Sequence, residues 1–349
     1  PPTHYSLDAR GVDVITGKVV LSTVDASIGD PSAGGLEYAR SYIGKGWRDN
    51  LTGSVASTAS GKIAVSFGGR SEEFTVTGTT YAPVAGSAST LVLSGGVFTY
   101  TAGDGSVALF SSVYESEIDQ PQGNRIISLK RPNGETLTYE YQTVVLEKPV
   151  DPPIQMTATR LGSVTSNLGY QVRPDYEIDQ AYYTSHRAGY LRVVGATAEN
   201  LVTGATSVAA YGTGTVTRAG ITTHYGFGTH GLTSIRRPTS TVDDIVVTYD
   251  SAGRVQTWSD NGSTWTYAYS LSGSTLTTTV TNPLSQTETY VSNTSTNRLT
   301  SRRDSLAPPT SYEYDTYGRL TRATLPEGNY TQYAYDGRGN VTTTTRVAK

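Results

Sequence analysis

Tyr249-Asp250-Ser251-Ala252-Gly253-Arg254-Val255 returns as Tyr314-Asp315-Thr316-Tyr317-Gly318-Arg319-Leu320. It returns again as Tyr335-Asp336-Gly337-Arg338-Gly339-Asn340-Val341. Fainter copies are Tyr269-Ser270-Leu271-Ser272-Gly273, Tyr290 followed by Asn297-Arg298-Leu299, and Phe227-Gly228-Thr229-His230-Gly231-Leu232. The anchors at 227, 249, 269, 290, 314 and 335 lie 22, 20, 21, 24 and 21 residues apart, so the period is near 21. A regular period of that length marks a stack of one supersecondary unit.

The motif has a backbone reason. An Asp side chain accepts from amides two residues on, and a Gly at the fourth place takes the left-handed conformation of a type I turn with a bulge. Tyr closes the incoming strand, and Arg-Val or Arg-Leu opens the outgoing one. Midway between corners comes a second turn: Ser259-Asp260-Asn261-Gly262, Asn282-Pro283-Leu284-Ser285 or Leu325-Pro326-Glu327-Gly328. Between turns apolar residues alternate, as at Trp265, Tyr267, Tyr269 and at Tyr333, Tyr335, which is the period of a strand with one buried face. Each unit is a β-hairpin, and successive hairpins are expected to pair edge to edge.

The same pattern extends upstream. Expected hairpins join 126–130 to 136–141 through Arg131-Pro132-Asn133-Gly134, 161–165 to 170–176 through Ser166-Asn167-Leu168-Gly169, and 215–217 to 221–227 through Gly220. Lys148-Pro149-Val150-Asp151-Pro152-Pro153 reads as a loop or insertion, since proline cannot donate to a ladder. Residues 199–208 read as a short helix within the irregular stretch 177–211. Strands without the period are expected at 18–22, 36–40, 62–67, 73–76, 90–93 and 97–100, which fits a sandwich or barrel.

Composition narrows the function. The 349 residues carry a net charge of −3 with no basic cluster, which disfavours nucleic-acid binding. No apolar run reaches the ~18 residues of a membrane-spanning helix. Cys is absent, excluding disulfides, thiol catalysis and cysteine zinc sites, and fitting a protein that crosses between redox compartments. Tyr outnumbers Phe 25 to 5, which suits sheets with one wet face. The opening Pro1-Pro2-Thr3 reads as a processed product or an excised piece.

Apparent chemical sites have plainer readings. Gly226-Phe227-Gly228-Thr229-His230-Gly231 fits a dinucleotide fingerprint only formally, because a strand-like run and not a helix follows it. His224 and His230 with Asp243 and Asp244 form no ligand pattern, and only His4 and His186 remain. Glu72-Glu73 and Asp243-Asp244 read as solvated loop charges. Asn-x-Ser/Thr triplets begin at Asn50, Asn261, Asn293, Asn329 and Asn340, and are expected by chance in so Thr-rich a chain. Trp258, Trp265, Tyr267 and Tyr269 are candidates for stacking on sugar rings, although cross-strand packing explains their spacing as well.

The Tyr-Asp-x-x-Gly-Arg-Val/Leu corners resemble those of the Rhs/YD-repeat family. Val14-Ile15-Thr16-Gly17-Lys18-Val19-Val20, Leu36-Glu37-Tyr38-Ala39-Arg40-Ser41-Tyr42 and Gly46-Trp47 look like the lead-in to its repeats, and Arg160-Leu161 to Tyr170 like a further repeat. The resemblance implies hairpins wound into a continuous sheet that closes as a hollow shell, commonly around a C-terminal toxin, with some members acting at cell surfaces. Family shells use many more repeats. Their Asp-Pro-x-Gly-Leu core segment is imitated only by Asp30-Pro31-Ser32-Ala33-Gly34-Gly35-Leu36, which has an extra residue and reads as a turn.

The expectation is an all-β chain of antiparallel hairpin repeats in a curved or spiral continuous sheet, with a sandwich-like or barrel-like N-terminal region. Its parts are a lead-in at 1–123, degenerate hairpins at 124–211 and the repeat array at 212–349. The expected function is a non-catalytic wall segment, secreted or at a bacterial cell surface. Its structural residues are Tyr249, Asp250, Gly253, Arg254, Tyr314, Asp315, Gly318, Arg319, Tyr335, Asp336 and Gly339. No catalytic residue, metal or cofactor is expected. Expected partners are the rest of a longer polypeptide or a neighbouring subunit at the edge run 341–346, and a toxin cargo or surface glycan. The alternatives are an adhesion or carbohydrate-binding module and a self-assembling filament subunit. A hydrolase has no visible nucleophile–base pair to support it.

Overall fold

The computed structural model describes residues 6–44, 46–68, 70–83, 87–111, 124–150, 153–305, 307–337 and 339–349. The sequence features at residues 1–4, 69, 151–152 and 338 lie outside them. Strands dominate, and the one α-helix among the described residues is the five-residue Arg187–Leu191.

The N-terminal choice between sandwich and barrel resolves as a barrel. Strands Gly53–Ser57, Ile63–Phe67, Arg70–Thr77, Thr80–Pro83, Thr90–Ser94, Val97–Thr101, Val107–Ser111 and Asn124–Lys130 each pair antiparallel with the next. The last returns to the first through Asn124↔Val55 and Arg125↔Ser54. About eight strands enclose just enough room for side chains, and Val55, Val65, Phe74, Leu91, Phe98, Ala108, Phe110 and Ile126 are all buried. The division read at 123/124 falls immediately before the closing strand. Glu72-Glu73 is not a loop pair: both lie in Arg70–Thr77, where alternation sends them apart. Glu72 accepts from Ser89 Oγ at 2.6 Å and Tyr100 OH at 2.8 Å, while Glu73 pairs with Lys62 at 2.9 Å.

Asn124–Lys130 is also where the sheet leaves the barrel. Its first residues pair with Gly53–Ser57, and its last, Ser128 to Lys130, pair with Thr136 to Thr138. From there every strand lies antiparallel to the one before it, through Thr136–Lys148, Ile154–Ser166 and Tyr170–Tyr176 to Tyr330–Tyr335 and Val341–Val347. Thr136–Lys148 and Ile154–Ser166 form the longest pairing, from Leu137↔Ser166 to Lys148↔Ile154, and the expected loop falls between them.

The helix expected at 199–208 is overturned. Val193–Asn200 and Thr206–Gly212 are paired strands. Asn200 reverses the chain between them, its Oδ1 accepting from the amides of Val202 and Thr203, and Gly204 follows at φ +71°. Local side-chain bonding of this kind outcompetes the helix that Ala, Glu and Leu would favour.

Two further layers cover one face of the sheet. Strands Val20–Ile28, Leu36–Ile43 and Gly46–Asp49 form a small separate sheet. Its Asp25 carboxylate is fully buried and meets the guanidinium groups of Arg40 and Arg218 and the Tyr211 hydroxyl. That pairing matters because a lone buried charge would cost several kcal/mol, roughly 3–5. Ahead of this sheet, residues 6–19 run as a strap. Val12, Val14, Ile15 and Val19 bury against Leu232, Ile245, Val247, Val255, Trp258, Tyr267, Leu276, Val280 and Tyr290.

Candidate functional site: the repeat corner and the face it builds

At Asp250 the turn forms as its residue types require. Oδ1 accepts from the amides of Ala252 at 3.0 Å and Arg254 at 2.9 Å, Oδ2 accepts from Arg254 Nε at 2.8 Å, and Gly253 sits at φ +71°. Asp315 repeats this with Tyr317, Arg319 and Gly318, and Asp336 with the Asn340 amide and side chain and Gly339. Burial works against ionisation of Asp250 and Asp315. The hydrogen bonds from Arg254 and Arg319 outweigh it, and both carboxyls titrate below the usual range.

Each corner also grips its predecessor. Tyr249 OH donates to the Leu232 carbonyl at 2.6 Å, Tyr269 to Val255 at 3.0 Å, Tyr314 to Leu299 at 2.8 Å and Tyr335 to Leu320 at 2.7 Å. The same bond joins Tyr141 to Ile126 and Tyr176 to Leu161 at 2.7 and 2.8 Å, far outside the regular repeats. Five of these six acceptors follow an arginine; Leu232 follows Gly231. The guanidinium often lies over the next ring: Arg254 is 4.4 Å from Tyr269, Arg319 is 4.6 Å from Tyr335 and Arg160 is 4.2 Å from Tyr176. A bulge at the anchor lets the ring reach back, with Tyr249 opposite Val255, Tyr314 opposite Leu320 and Tyr335 opposite Val341.

The lock requires the neutral phenol, and burial favours it. Tyr176 is pushed up to about 12 by desolvation, and Tyr249, Tyr269, Tyr314 and Tyr335 are raised for the same reason. Tyr290 departs from the pattern: its hydroxyl donates to Glu288 at 2.9 Å.

The strap reads this face closely. Tyr267 OH donates to Asp8 at 2.6 Å, Thr278 Oγ1 to the Val14 carbonyl at 2.6 Å and the Val255 amide to the Gly17 carbonyl at 2.8 Å. Lys18 Nζ donates to the Gly253 carbonyl at 2.7 Å. A Cβ on Gly17 would meet Arg254 Cβ at 2.4 Å, so glycine is required where strap and corner touch.

The sugar-stacking candidates fall inside this arrangement. Trp258 and Tyr267 are 4% and 5% exposed. Arg10 covers Trp265 at 5.1 Å, and Arg254 covers Tyr269. His224 lies in the strand Ile221–Gly228, and His230 is at the turn, its ring 6.0 Å from Tyr249. Gly226 to Gly231 is strand, turn and strand. Asp244 caps its own loop, accepting from the Arg237 amide and Ser240 Oγ. Among the described residues no group of three His, Cys, Asp or Glu is placed to hold a metal.

Cover ends abruptly. Ser292 is the last buried residue; beyond it every described side chain is half-buried or exposed, although the corners continue unchanged. Val341–Val347 pairs on one side only among the described residues, with Tyr330–Tyr335.

Comparison with known proteins agrees with this geometry at the C-terminal end. The RHS Repeat family model matches residues 294–330 and 314–348. No curated protein matches the chain. Among solved structures, the TcdB2-TccC3-Cdc42 complex matches at 14% identity over 95% of this chain, with a TM-score of 0.44. The TcdB2-TccC3 complex matches at 14% over 89%, TM-score 0.42, and a Photorhabdus luminescens Tc holotoxin pore at 15% over 89%, TM-score 0.41. This chain spans 20%, 19% and 18% of those chains, about a fifth of their length. The corners at Tyr314 and Tyr335, with the strands they join, lie within the residues that the RHS Repeat model matches, and they belong to one continuous antiparallel sheet.

Proposed function

We propose that the chain is a wall segment of an RHS-type shell, with no catalytic task of its own. One observation carries this reading. Six tyrosine hydroxyls tie successive units to the carbonyl of the unit before, from Ile126 to Tyr335, so the conspicuous polar residues serve continuity of the sheet. The barrel ends the main sheet at one side, and Val341–Val347 offers an edge at the other. An open edge invites a further strand. That strand belongs to more of a longer polypeptide or to a neighbouring subunit, and the completed wall encloses a cargo such as a toxin, outside the cell or at its surface.

Appending one more Tyr-Asp-x-x-Gly-Arg-Leu hairpin after Lys349 tests the propagation. Amides of residues 342–347 should then exchange with solvent at least tenfold more slowly, and the protein should melt higher. An appended hairpin that stays unstructured and leaves exchange unchanged would sink the proposal. The buried positions of Trp258 and Tyr267 favour packing over glycan binding, and a glycan array is expected to stay blank.

A further inference from the structure

The tyrosines of the locks and of the strap face spend their hydroxyls inside the protein. Tyr139, on the same strand as the lock Tyr141, does not. It is 8% exposed, and its hydroxyl donates to no described residue. Buried polar groups are paired in the great majority of cases, so an unused phenol needs an explanation. The hydroxyl is not sealed off: it keeps some accessible surface, and Tyr139 lines a cavity of about 670 Å³.

Three layers meet around that cavity. The small sheet and the chain leaving it supply Leu36 and Leu51, the barrel supplies Phe67 and Ala102, and the hairpin beyond supplies Leu129 and Leu137. Its volume falls within the roughly 300–1,000 Å³ of small-molecule sites, which are mostly apolar with a few polar groups that fix orientation. The other polar side chains in the walls are committed. Arg131 Nη1 donates to Glu135 at 2.8 Å, and Asp104 accepts from the Ser106 amide at 2.9 Å. Asn50 accepts from the Ala39 amide at 2.9 Å and donates to the Glu37 carbonyl at 3.1 Å. Glu37 stands between buried Leu36 and Tyr38, so alternation turns its carboxylate to the opposite face. Among the described residues the walls therefore offer no unpaired cation to an anionic ligand, and Tyr139 is left as a donor facing the space. Desolvation pushes Tyr139 up to about 12, which keeps that donor protonated at neutral pH.

We infer that this cavity binds a neutral, largely apolar small molecule with one hydrogen-bond acceptor, of the aromatic ketone or ester class, which accepts from the Tyr139 hydroxyl. The six apolar walls take its body. The inference goes beyond the wall reading and stands without it.

The probe is benzophenone, equilibrium-dialysed against the whole protein. Diphenylmethane, the same two rings without the carbonyl, is the control, and diphenylacetate is its charged counterpart. Saturable binding of benzophenone is expected, about fivefold tighter than that of diphenylmethane, as for one net hydrogen bond. Tyr139→Phe should bring the two to equal affinity with the melting temperature unchanged, because the hydroxyl has no partner in the chain to lose. Ser106→Trp, which intrudes on the cavity from the barrel side, should weaken both. No saturable binding, equal binding of the two by the unaltered protein, or tighter binding of diphenylacetate overturns the inference. So does benzophenone binding that Ser106→Trp leaves untouched, or a melting temperature that falls in Tyr139→Phe, since the hydroxyl would then serve the fold.

Discussion

The hairpins from Ile221 to Asn293 and those from Arg298 to Val347 share their corners, their bulges and their tyrosine locks, yet only the first group has a core. Val247 and Tyr267 are buried at the place in the unit where Tyr312 and Tyr333 are half-exposed. Hydrogen bonding and turn chemistry thus shape the hairpin wherever it occurs. Burial is added from outside, by residues 6–19, which lie 264 positions away in sequence at the Thr278–Val14 contact. The repeat specifies geometry; the strap supplies the apolar free energy that geometry alone lacks.

Breaking the cover should have the largest effect. Val12→Asp places an unpaired charge in the strap core and is expected to cost about 3–5 kcal/mol, read as a fall in the urea midpoint. Thr343→Asp, on the exposed final strand, should leave that midpoint nearly unchanged. Next comes truncation at matched positions. Tyr267→Ala is expected to cost about 3–5 kcal/mol, and Tyr333→Ala no more than about 1 kcal/mol, nearer the range of surface changes. Equal losses would show that the last hairpins are covered after all.

Alkaline pH tests the buried phenols of both regions together, since desolvation raises Tyr249 and Tyr269 in the first and Tyr314 and Tyr335 in the second. Tyrosines raised by burial bind their proton more tightly folded than unfolded, so their stabilisation is complete below the unfolded value of about 10. It is lost as pH climbs from there through the raised values, about 12 for Tyr139 and Tyr176. Tyrosinate absorbance should rise cooperatively with loss of circular dichroism. A gradual rise in a protein still folded would count against buried locks.

Smaller changes probe the lock itself. Tyr249→Phe and Tyr335→Phe each remove one hydroxyl from a carbonyl, and each should cost about 1 kcal/mol by denaturant titration. Matching losses are expected because the bond exists with and without cover. Acid gives the smallest shift: Asp250 and Asp315 are depressed when folded, so their contribution is present above about pH 4 and declines as pH falls below it. Asp250→Asn and Asp315→Asn should flatten that decline.

The corners were legible because every one of their bonds is local. Asp250, Gly253 and Arg254 touch within five residues, so spacing alone exposes the turn. The locks were not legible as bonds, since a tyrosine reaches its carbonyl only after a bulge shifts the register. A signal was nevertheless present: an arginine followed by an aliphatic residue at 125–126, 160–161, 254–255, 298–299 and 319–320, with a tyrosine 14 or 15 residues later. The strap was not legible, since nothing in sequence says which distant face the short apolar run Val12, Val14 and Ile15 will meet. Barrel closure rests on two residue pairs at Asn124 and Arg125, too few to leave a pattern. At 199–208 composition misled, because one Asn side chain fixed the reversal.

Return of Asn124–Lys130 to Gly53–Ser57 gives the molecule a direction. A ribbon whose beginning is sealed can lengthen only from its far margin, so during synthesis each hairpin emerging from the ribosome meets a finished template laid down moments earlier. The phenol that clasps the preceding carbonyl then acts as a proofreading latch: a newcomer slipped by one residue would turn that ring to the wrong side and find nothing to hold.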